Sequence, residues 1–216
     1  IPNESGEEAP EIILNPEQQA AFDEVLRLSK SGKAEAVLLH GVTGSGKTEV
    51  YMEMIDFVLK QGKEAIVLIP EIALTYQTLK RFYERFGDMV SVMNSKLSQG
   101  ERYDQFERAR KGEVKIMIGP RSALFTPFQN LGILIIDEEH EGSYKSETMP
   151  KFHSRTVAKW IAKDADAALV LGSATPSLSW TAESYSPTRA TTHRSCSNAR
   201  SDTIICRRAS TRRATC

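Results

Sequence analysis

The sequence predicts an α/β fold in which helices cover both faces of a parallel β-sheet. Five short apolar runs recur along the first 180 residues, and none of them alternates between apolar and polar positions. Apolar runs without alternation are typical of strands buried on both faces, and the intervals between them leave room for crossover helices. The predicted strands are 36–39, 65–69, 114–118, 131–136 and 167–171.

Helix signals occupy the intervals between the predicted strands. Asn15 followed by Pro16 predicts a helix start, because asparagine caps helix amino ends and proline is favoured in the first turn. Phe22, Val25 and Leu26 then lie on one face of that helix. Further helices are predicted at 47–60, 73–86, 98–111 and 154–163.

The composition is that of a globular protein. Of the 216 residues, 40% are hydrophobic and 26% are charged, which excludes the disordered class for the chain as a whole. No apolar run approaches the roughly 18 to 20 residues of a membrane span, and the acidic residues 1–10 lack a signal-peptide pattern. We therefore expect a cytoplasmic protein without a membrane partner.

The formal net charge is zero, yet the charges are distributed unevenly. Residues 181–216 contain seven arginines, no lysine and two acidic residues, a net charge of +5, so residues 1–180 carry −5. This tail also holds all three cysteines, at spacings that match no metal-binding pattern, and very few aliphatic residues. We expect an amino-terminal linker at 1–13, a folded lobe at 14–180 and a disordered basic tail of frame-shifted or foreign origin. Because the chain does not begin with Met, we expect it to be a piece of a longer one.

A phosphate-binding loop follows the first predicted strand. Residues 41–48 read Gly-Val-Thr-Gly-Ser-Gly-Lys-Thr and fit the pattern G-x-x-x-x-G-K-[ST] at the start of a predicted helix. Glycines let backbone N–H groups turn towards phosphate oxygens, and the helix amino end adds partial positive charge. The alternative is a glycine-rich turn with an exposed lysine. The candidate nucleotide-binding residues of the loop are Gly41, Thr43, Gly44, Ser45, Gly46, Lys47 and Thr48.

An acidic sequence ends the fourth predicted strand and completes a candidate catalytic site. Asp137 directly follows the apolar run, where a carboxylate can bind Mg²⁺ together with the Thr48 hydroxyl, while Lys47 reaches the β- and γ-phosphates. Glu138 comes next and is the candidate for orienting or deprotonating an attacking water. These residues predict Mg²⁺-dependent ATP binding and hydrolysis. An acidic turn at a strand end is the alternative.

Several motifs resemble those of a known helicase family. Asp-Glu-Glu-His at 137–140 matches the DEEH form of motif II in superfamily 2 helicases, and Gly-Ser-Ala-Thr-Pro at 172–176 resembles their motif III. The resemblance covers about residues 14–178 and implies the first RecA-like lobe of the motor, a P-loop NTPase. Narrower motifs similar to the primosomal protein N′ (PriA) family, the bacterial replication-restart helicases, occur at 68–75, 121–128 and 143–145.

The resemblance implies roles for further residues. Gln18 is implied to read the adenine edge, although a glutamine in a first helical turn is otherwise only a polar residue. Residues implied to couple the γ-phosphate site to DNA movement are His140, Ser173 and Thr175, which on sequence alone belong to strand-end loops. Residues implied to contact or sense DNA are Arg121, Ser122, Tyr144 and Lys145. The alternative for Arg121 is a side chain that is simply solvated at a strand end.

The segment 144–160 interleaves aromatic and basic side chains. Aromatic rings can stack on bases while cations follow the backbone of a single strand. Trp160, on a predicted helix, is also suited to the core. Asn94 and Pro120 depart from the family pattern near the implied DNA groove. Because residues 1–180 carry no basic field, DNA must be held by a local patch or by domains outside this chain. The interleaved residues are Tyr144, Lys145, Lys151, Phe152, Arg155, Lys159 and Trp160.

The predicted function is that of the ATP-binding motor lobe of a DNA helicase. For the intact protein the resemblance implies ATP-dependent 3′-to-5′ unwinding in replication restart and primosome assembly, in the bacterial cytoplasm. Implied partners are forked or single-stranded DNA, primosome proteins and single-stranded-DNA-binding protein.

We expect three parts that the resemblance implies for the family to lie outside this chain, namely the amino-terminal DNA-binding domains, the zinc-binding cysteine cluster and the second lobe with its arginine finger. We therefore expect this chain to bind ATP but to hydrolyse it slowly and to unwind nothing. The alternatives are a non-motor, nucleotide-dependent nucleic-acid-binding or regulatory module, and a metabolic phosphoryl-transfer enzyme.

Overall fold

The computed structural model describes most of the predicted lobe, namely residues 13–29, 36–42, 44–175 and 205–208. Thr43 of the phosphate loop lies outside the described residues, as do most of the expected linker and most of the expected tail.

Seven strands of the described chain form one sheet. They are β1 (Ala36–His40), β2 (Glu64–Leu68), β3 (Val90–Val92), β4 (Ile116–Gly119), β5 (Leu131–Ile136), β6 (Ala168–Ser173) and β7 (Ile205–Arg208). Their order across the sheet is β3-β4-β2-β5-β6-β1-β7, and every neighbouring pair among β1 to β6 is parallel. The predicted parallel sheet is therefore confirmed.

Five α-helices of the described residues pack on the two faces of this sheet. They are α1 (Pro16–Ser29), α2 (Lys47–Lys60), α3 (Tyr76–Phe86), α4 (Gln99–Arg110) and α5 (Ser154–Asp164). Ile133 and Ile135 of β5 belong to the core shared with α1, α2 and α3, whereas Leu134 and Ile136 belong to the core shared with α4 and α5. The apolar runs do not alternate because both faces are covered. Within the described residues, no helix is long and apolar enough to span a bilayer.

The start of α3 and the presence of β3 differ from the sequence-based predictions. α3 begins at Tyr76 instead of residue 73, because Thr75 caps it and the Thr75 hydroxyl accepts the Thr78 N–H at 3.3 Å. The sequence does not predict β3, since three residues with a serine in the middle are too few for a periodic signal.

One segment of the tail forms a strand, which corrects the expectation of a wholly disordered tail. β7 pairs antiparallel with β1, with Val37 opposite Arg208. The outer edge of β1 carries N–H and C=O groups that need partners, and an extended segment can supply them. The prediction of disorder is therefore wrong for Ile205–Arg208, and the rest of 181–216 lies outside the described residues.

The carboxyl ends of three parallel strands meet at one edge of the sheet. β1 ends in His40, β5 in Ile136 and β6 in Ser173, and the strand register places His40 opposite Ser173. In open parallel sheets the loops at this edge form the ligand-binding crevice. The phosphate loop, the acidic motif (residues 137–140) and motif III therefore meet at this edge of the sheet.

His153 caps α5 through its imidazole ring. Its Nδ1 accepts the N–H of Arg155 at 3.3 Å, which requires that nitrogen to be unprotonated. Burial lowers the pKa of His153, and the neighbouring charge of Arg155 lowers it further. The folded protein therefore disfavours the imidazolium.

We predict that His153→Asn reduces the loss of stability on acidification. The pKa of His153 is lower in the folded than in the unfolded chain. Its contribution to the free energy of unfolding is therefore complete above the unfolded pKa of about 6.5 and is lost as the pH falls through the folded pKa. Asparagine caps a helix without titrating. Melting temperatures between about pH 7.5 and 5 should fall less in the variant than in the wild type, and equal slopes would contradict the assignment.

Candidate nucleotide site

The phosphate loop connects β1 to α2 and depends on two left-handed glycines. Gly44 and Gly46 have φ angles of +85° and +83°, which residues with a side chain rarely adopt. Gly46 has a second constraint, since a Cβ there would overlap the Gln18 amide. The turn is closed by the Ser45 N–H, which donates to the Val42 carbonyl at 3.1 Å.

Hydrogen-bond donors at the start of α2 suit an anionic ligand. No described side chain caps the first turn, because the N-cap position is Gly46. The Ser45 hydroxyl is buried and has no hydrogen-bond partner among the described residues. Together with the partial positive charge of the helix amino end, these groups match phosphate oxygens.

Lys47 lies inside the phosphate loop. Only 7% of the residue is exposed, and its Nζ donates to the carbonyls of Gly41 at 2.8 Å and Val42 at 3.2 Å. Thr48 follows in the first turn of α2 and is half-buried. The loop's own carbonyls therefore hold the ammonium group inside the loop, and its contact with the β- and γ-phosphates stays a prediction.

Asp137 lies at the end of β5, against α2. Its Oδ1 accepts the Tyr51 hydroxyl at 3.0 Å, and its N–H donates to the Leu68 carbonyl at 2.9 Å. Burial raises the pKa of Asp137 and the charge of Glu138 raises it further, while the Tyr51 bond and the Lys47 charge oppose the rise. A cation beside this carboxylate would favour its charged form.

The two glutamates of the acidic motif have different environments. Glu138 adopts a left-handed backbone with φ of +46°, which costs about 1–2 kcal/mol for a residue with a side chain. Its side chain is 27% exposed. Glu139 is buried, and its Oε2 accepts a bond from Arg155 at 2.5 Å. Glu138 is therefore the glutamate that solvent reaches.

The histidine of the acidic motif contacts motif III at the end of β6. His140 Nδ1 lies 2.9 Å from the Ser173 hydroxyl and 3.6 Å from a carboxylate oxygen of Glu138. The Thr175 N–H donates to the same Ser173 hydroxyl at 3.1 Å. The structure thus brings together the three residues to which the family resemblance assigns coupling, and the coupling role stays a prediction.

Gln18 lies in the first turn of α1, which Asn15 caps, and contacts the phosphate loop. Its Oε1 accepts the Asn15 N–H at 2.8 Å, while its own N–H donates to Asn15 Oδ1 at 2.9 Å, which is a capping box. Its Nε2 lies 3.4 Å from the carbonyls of Ser45 and Gly46. These contacts place Gln18 beside the phosphate loop, and adenine recognition stays a prediction.

Arg121 joins the end of β4 to the loop after the acidic motif. Its guanidinium donates to the carbonyls of Ser143 at 3.3 Å and Lys145 at 2.9 Å. Lys145 itself is exposed, and Ser122 is half-buried in the 3₁₀ turn that begins at Arg121. Arg121 therefore supports the loop that carries Lys145.

Tyr144 is a buried residue and does not offer its ring to a base. Only 1% of it is exposed, and its single O–H is shared between the carbonyl oxygens of Asp137 at 2.7 Å and Leu68 at 3.0 Å. A stacking contact with DNA, as the interleaved pattern suggests for this ring, is therefore wrong. Its observed role is to bind the loop after the acidic motif to the ends of β2 and β5.

Two further partnerships at the site are not predicted from sequence. Tyr51 bonds Asp137, and Arg155 pairs with Glu139 although the pattern suggests it as a DNA cation. The signal for Tyr51 is its position four residues after Lys47, since that spacing places both on one face of α2.

Comparison with known proteins agrees with these motifs. The family described as "Type III restriction enzyme, res subunit" matches residues 11–178. The chain belongs to this family. It is also 53% identical over 174 residues to the replication restart protein PriA of Bacillus subtilis, which confirms the predicted resemblance to PriA. The match covers 81% of this chain and 21% of the relative, so the chain spans about a fifth of that relative's length.

Solved structures of other proteins share the fold of this chain. RecG bound to a three-way DNA junction has a TM-score of 0.58 and 24% identity over 77% of this chain and 22% of that one. The helicase MrfA bound to DNA and AMPPNP has a TM-score of 0.51 and 20% identity, over 75% of this chain and 24% of that one. The predicted RecA-like architecture is therefore confirmed.

We predict that Tyr144→Phe lowers the free energy of unfolding by about 1–2 kcal/mol, because it leaves buried carbonyls without the hydroxyl donor. Urea denaturation followed by circular dichroism measures the change. Tyr103→Phe, at a tyrosine that is 63% exposed, is the matched control and should change stability by less than about 0.5 kcal/mol. Equal effects of the two variants would contradict the structural role of Tyr144.

Proposed function

We propose that this chain is the ATP-binding motor lobe of a DNA helicase, with 14–180 as the lobe, 1–13 as a linker and 181–216 as a basic tail. The strongest supporting observation is the hydrogen bond that the Tyr51 hydroxyl donates to the Asp137 carboxylate. Tyr51 lies on α2, one turn after Lys47. A strand-end carboxylate attached to the phosphate-loop helix is the arrangement that a Mg²⁺–nucleotide site needs.

The described loop fits the phosphates of ATP. The left-handed glycines carry no side chain that would fill the loop, and the buried Ser45 hydroxyl has no partner among the described residues. Lys47 supplies the positive charge, and Gln18 is proposed to contact the adenine. The residues proposed to hold the nucleotide are Gln18, Gly41, Thr43, Gly44, Ser45, Gly46, Lys47 and Thr48.

The side chains of Thr48 in α2 and of Asp137 and Glu138 after β5 suit Mg²⁺ binding and hydrolysis. Thr48 offers a hydroxyl and Asp137 a carboxylate, which are the oxygen ligands that Mg²⁺ prefers. When bound, ATP would supply the phosphoanhydride and Mg²⁺ would neutralise its phosphate charge, so that water attack at the γ-phosphorus breaks the bond to the bridging oxygen and releases ADP. Glu138, the accessible glutamate, is proposed to orient that water and to accept its proton on the carboxylate.

DNA contact and coupling are assigned to loops that reach the same site. Arg121 supports the loop of Lys145, and Tyr144 in that loop bonds the backbone of Asp137. A DNA strand that moves this loop would therefore act on the carboxylate proposed to bind Mg²⁺. The proposed coupling residues on the motif III side are His140, Ser173 and Thr175, with Ser122 beside Arg121 at the DNA surface.

For the intact protein we propose ATP-dependent 3′-to-5′ DNA unwinding in replication restart, in the bacterial cytoplasm. Its proposed partners are forked or single-stranded DNA, primosome proteins and single-stranded-DNA-binding protein. The similarity to the replication restart protein PriA of Bacillus subtilis supports this proposal. The catalytic arginine of a second lobe would come from outside this chain.

We predict that Lys47→Ala abolishes ATP binding measured by isothermal titration calorimetry, because the ammonium inside the phosphate loop is lost. Lys111→Ala, at an exposed lysine at the end of α4, removes the same charge elsewhere and should leave the affinity unchanged. Unchanged affinity in Lys47→Ala would refute the phosphate-loop assignment.

We also predict slow ATP turnover by this chain, with little stimulation by forked DNA. An arginine finger from a second lobe contributes about 10³ to 10⁵ in rate, and we propose that this lobe lies outside the chain, which spans about a fifth of its PriA relative's length. Phosphate release with and without forked DNA measures the effect. Strong DNA-stimulated turnover would contradict the requirement for the second lobe.

A further inference from the structure

We propose that Tyr51 is a positioning residue that orients the Asp137 carboxylate for Mg²⁺, an inference that rests on the proposed function. Tyr51 lies on α2 and is 2% exposed, so its hydroxyl has little access to water. That hydroxyl donates to Asp137 Oδ1 at 3.0 Å. The phenol is a neutral donor, so it can hold the carboxylate without neutralising the charge that a cation requires.

The neighbouring strand is shaped to admit this hydroxyl. Gly172 lies on β6, and a Cβ there would overlap the Tyr51 hydroxyl and lie 2.9 Å from Asp137 Oδ1. The Gly172 carbonyl accepts the Glu139 N–H at 2.8 Å, so the two strand ends are attached at this position. The missing side chain of Gly172 is therefore the space in which Tyr51 reaches the carboxylate.

The hydroxyl links the two ligands proposed for Mg²⁺. Thr48 and Tyr51 are three residues apart on α2, so they lie on adjacent turns of one face. Because Tyr51 bonds Asp137, the bond sets the carboxylate relative to the helix that carries Thr48. Without the bond, the carboxylate at the end of β5 can rotate away from that helix. Residues that orient metal ligands in this way typically contribute about 10- to 100-fold in metal affinity.

The test is Tyr51→Phe, which removes one oxygen and keeps the buried ring. The probe is a fluorescent ATP analogue. The chain is titrated into the probe once in excess EDTA and then at a series of increasing Mg²⁺ concentrations. We expect nucleotide affinity in EDTA to change less than about twofold, and the Mg²⁺ concentration for half-maximal enhancement to rise about tenfold or more. Tyr83→Phe, at a half-exposed tyrosine of α3, is the matched control and should behave as the wild type.

Gly172→Ala provides a second, independent variant. It keeps Tyr51 but places a methyl group where the hydroxyl lies, so its Mg²⁺ requirement should rise in the same direction. Circular dichroism melting curves identify any variant that does not fold, and the remaining variant then decides the outcome.

The outcomes separate the two proposals. If the wild type binds nucleotide with a clear Mg²⁺ requirement and the folded variants share it, the positioning role of Tyr51 is overturned while the proposed function stands. If Tyr51→Phe weakens binding equally with and without Mg²⁺, Tyr51 supports the pocket as a whole and the positioning role is again overturned. If the wild type itself shows no Mg²⁺-dependent nucleotide binding, the proposed function fails, and the positioning role fails with it.

Discussion

The partly buried carboxylate of Asp137 constrains the arrangement of the whole site. A carboxylate removed from water is stable only where donors or positive charges replace the lost hydration. Tyr51 donates to Asp137 from α2, Lys47 contributes its charge from the phosphate loop, and Tyr144 donates to the Asp137 carbonyl. These contacts require α2, β5 and the following loop to keep one mutual arrangement.

The same contacts connect the loop proposed to contact DNA with the side chains proposed to bind the nucleotide. Tyr144 belongs to the loop whose carbonyls accept bonds from Arg121, and its hydroxyl reaches the strand ends beneath the acidic motif. On the other side, His140 meets the Ser173 hydroxyl of motif III. A displacement at either loop therefore changes hydrogen bonds at the acidic motif. This is how DNA contact and nucleotide chemistry would act on each other within one lobe.

The sequence predicts features that depend on backbone patterns. Strands covered on both faces lack alternation, and the phosphate loop needs glycine at positions such as Gly44 and Gly46, so both are visible in the residues. Side-chain partnerships depend on tertiary packing and are not visible. The bond from Tyr51 to Asp137 requires the space beside Gly172, which no spacing rule reveals.

The interleaved aromatic and basic segment shows the same limit. Composition cannot distinguish a ring that stacks on a base from one whose hydroxyl bonds buried carbonyls, as in Tyr144. It also cannot show that the cation of Arg155 is paired with the buried Glu139. By contrast, Trp160 is 75% exposed, so it is not the core residue that a helix position also allows. β7 is missed because a sheet edge in need of partners is a property of the fold.

Hydrogen–deuterium exchange of this chain with and without AMPPNP and Mg²⁺ tests most directly whether the ends of β1, β5 and β6 form one nucleotide site. The predicted result is slower exchange in peptides covering 41–48, 137–140 and 172–175 together, with unchanged exchange in the peptide of α4. Slower exchange at 41–48 alone, or at none of the three, would contradict a site built from all three strand ends.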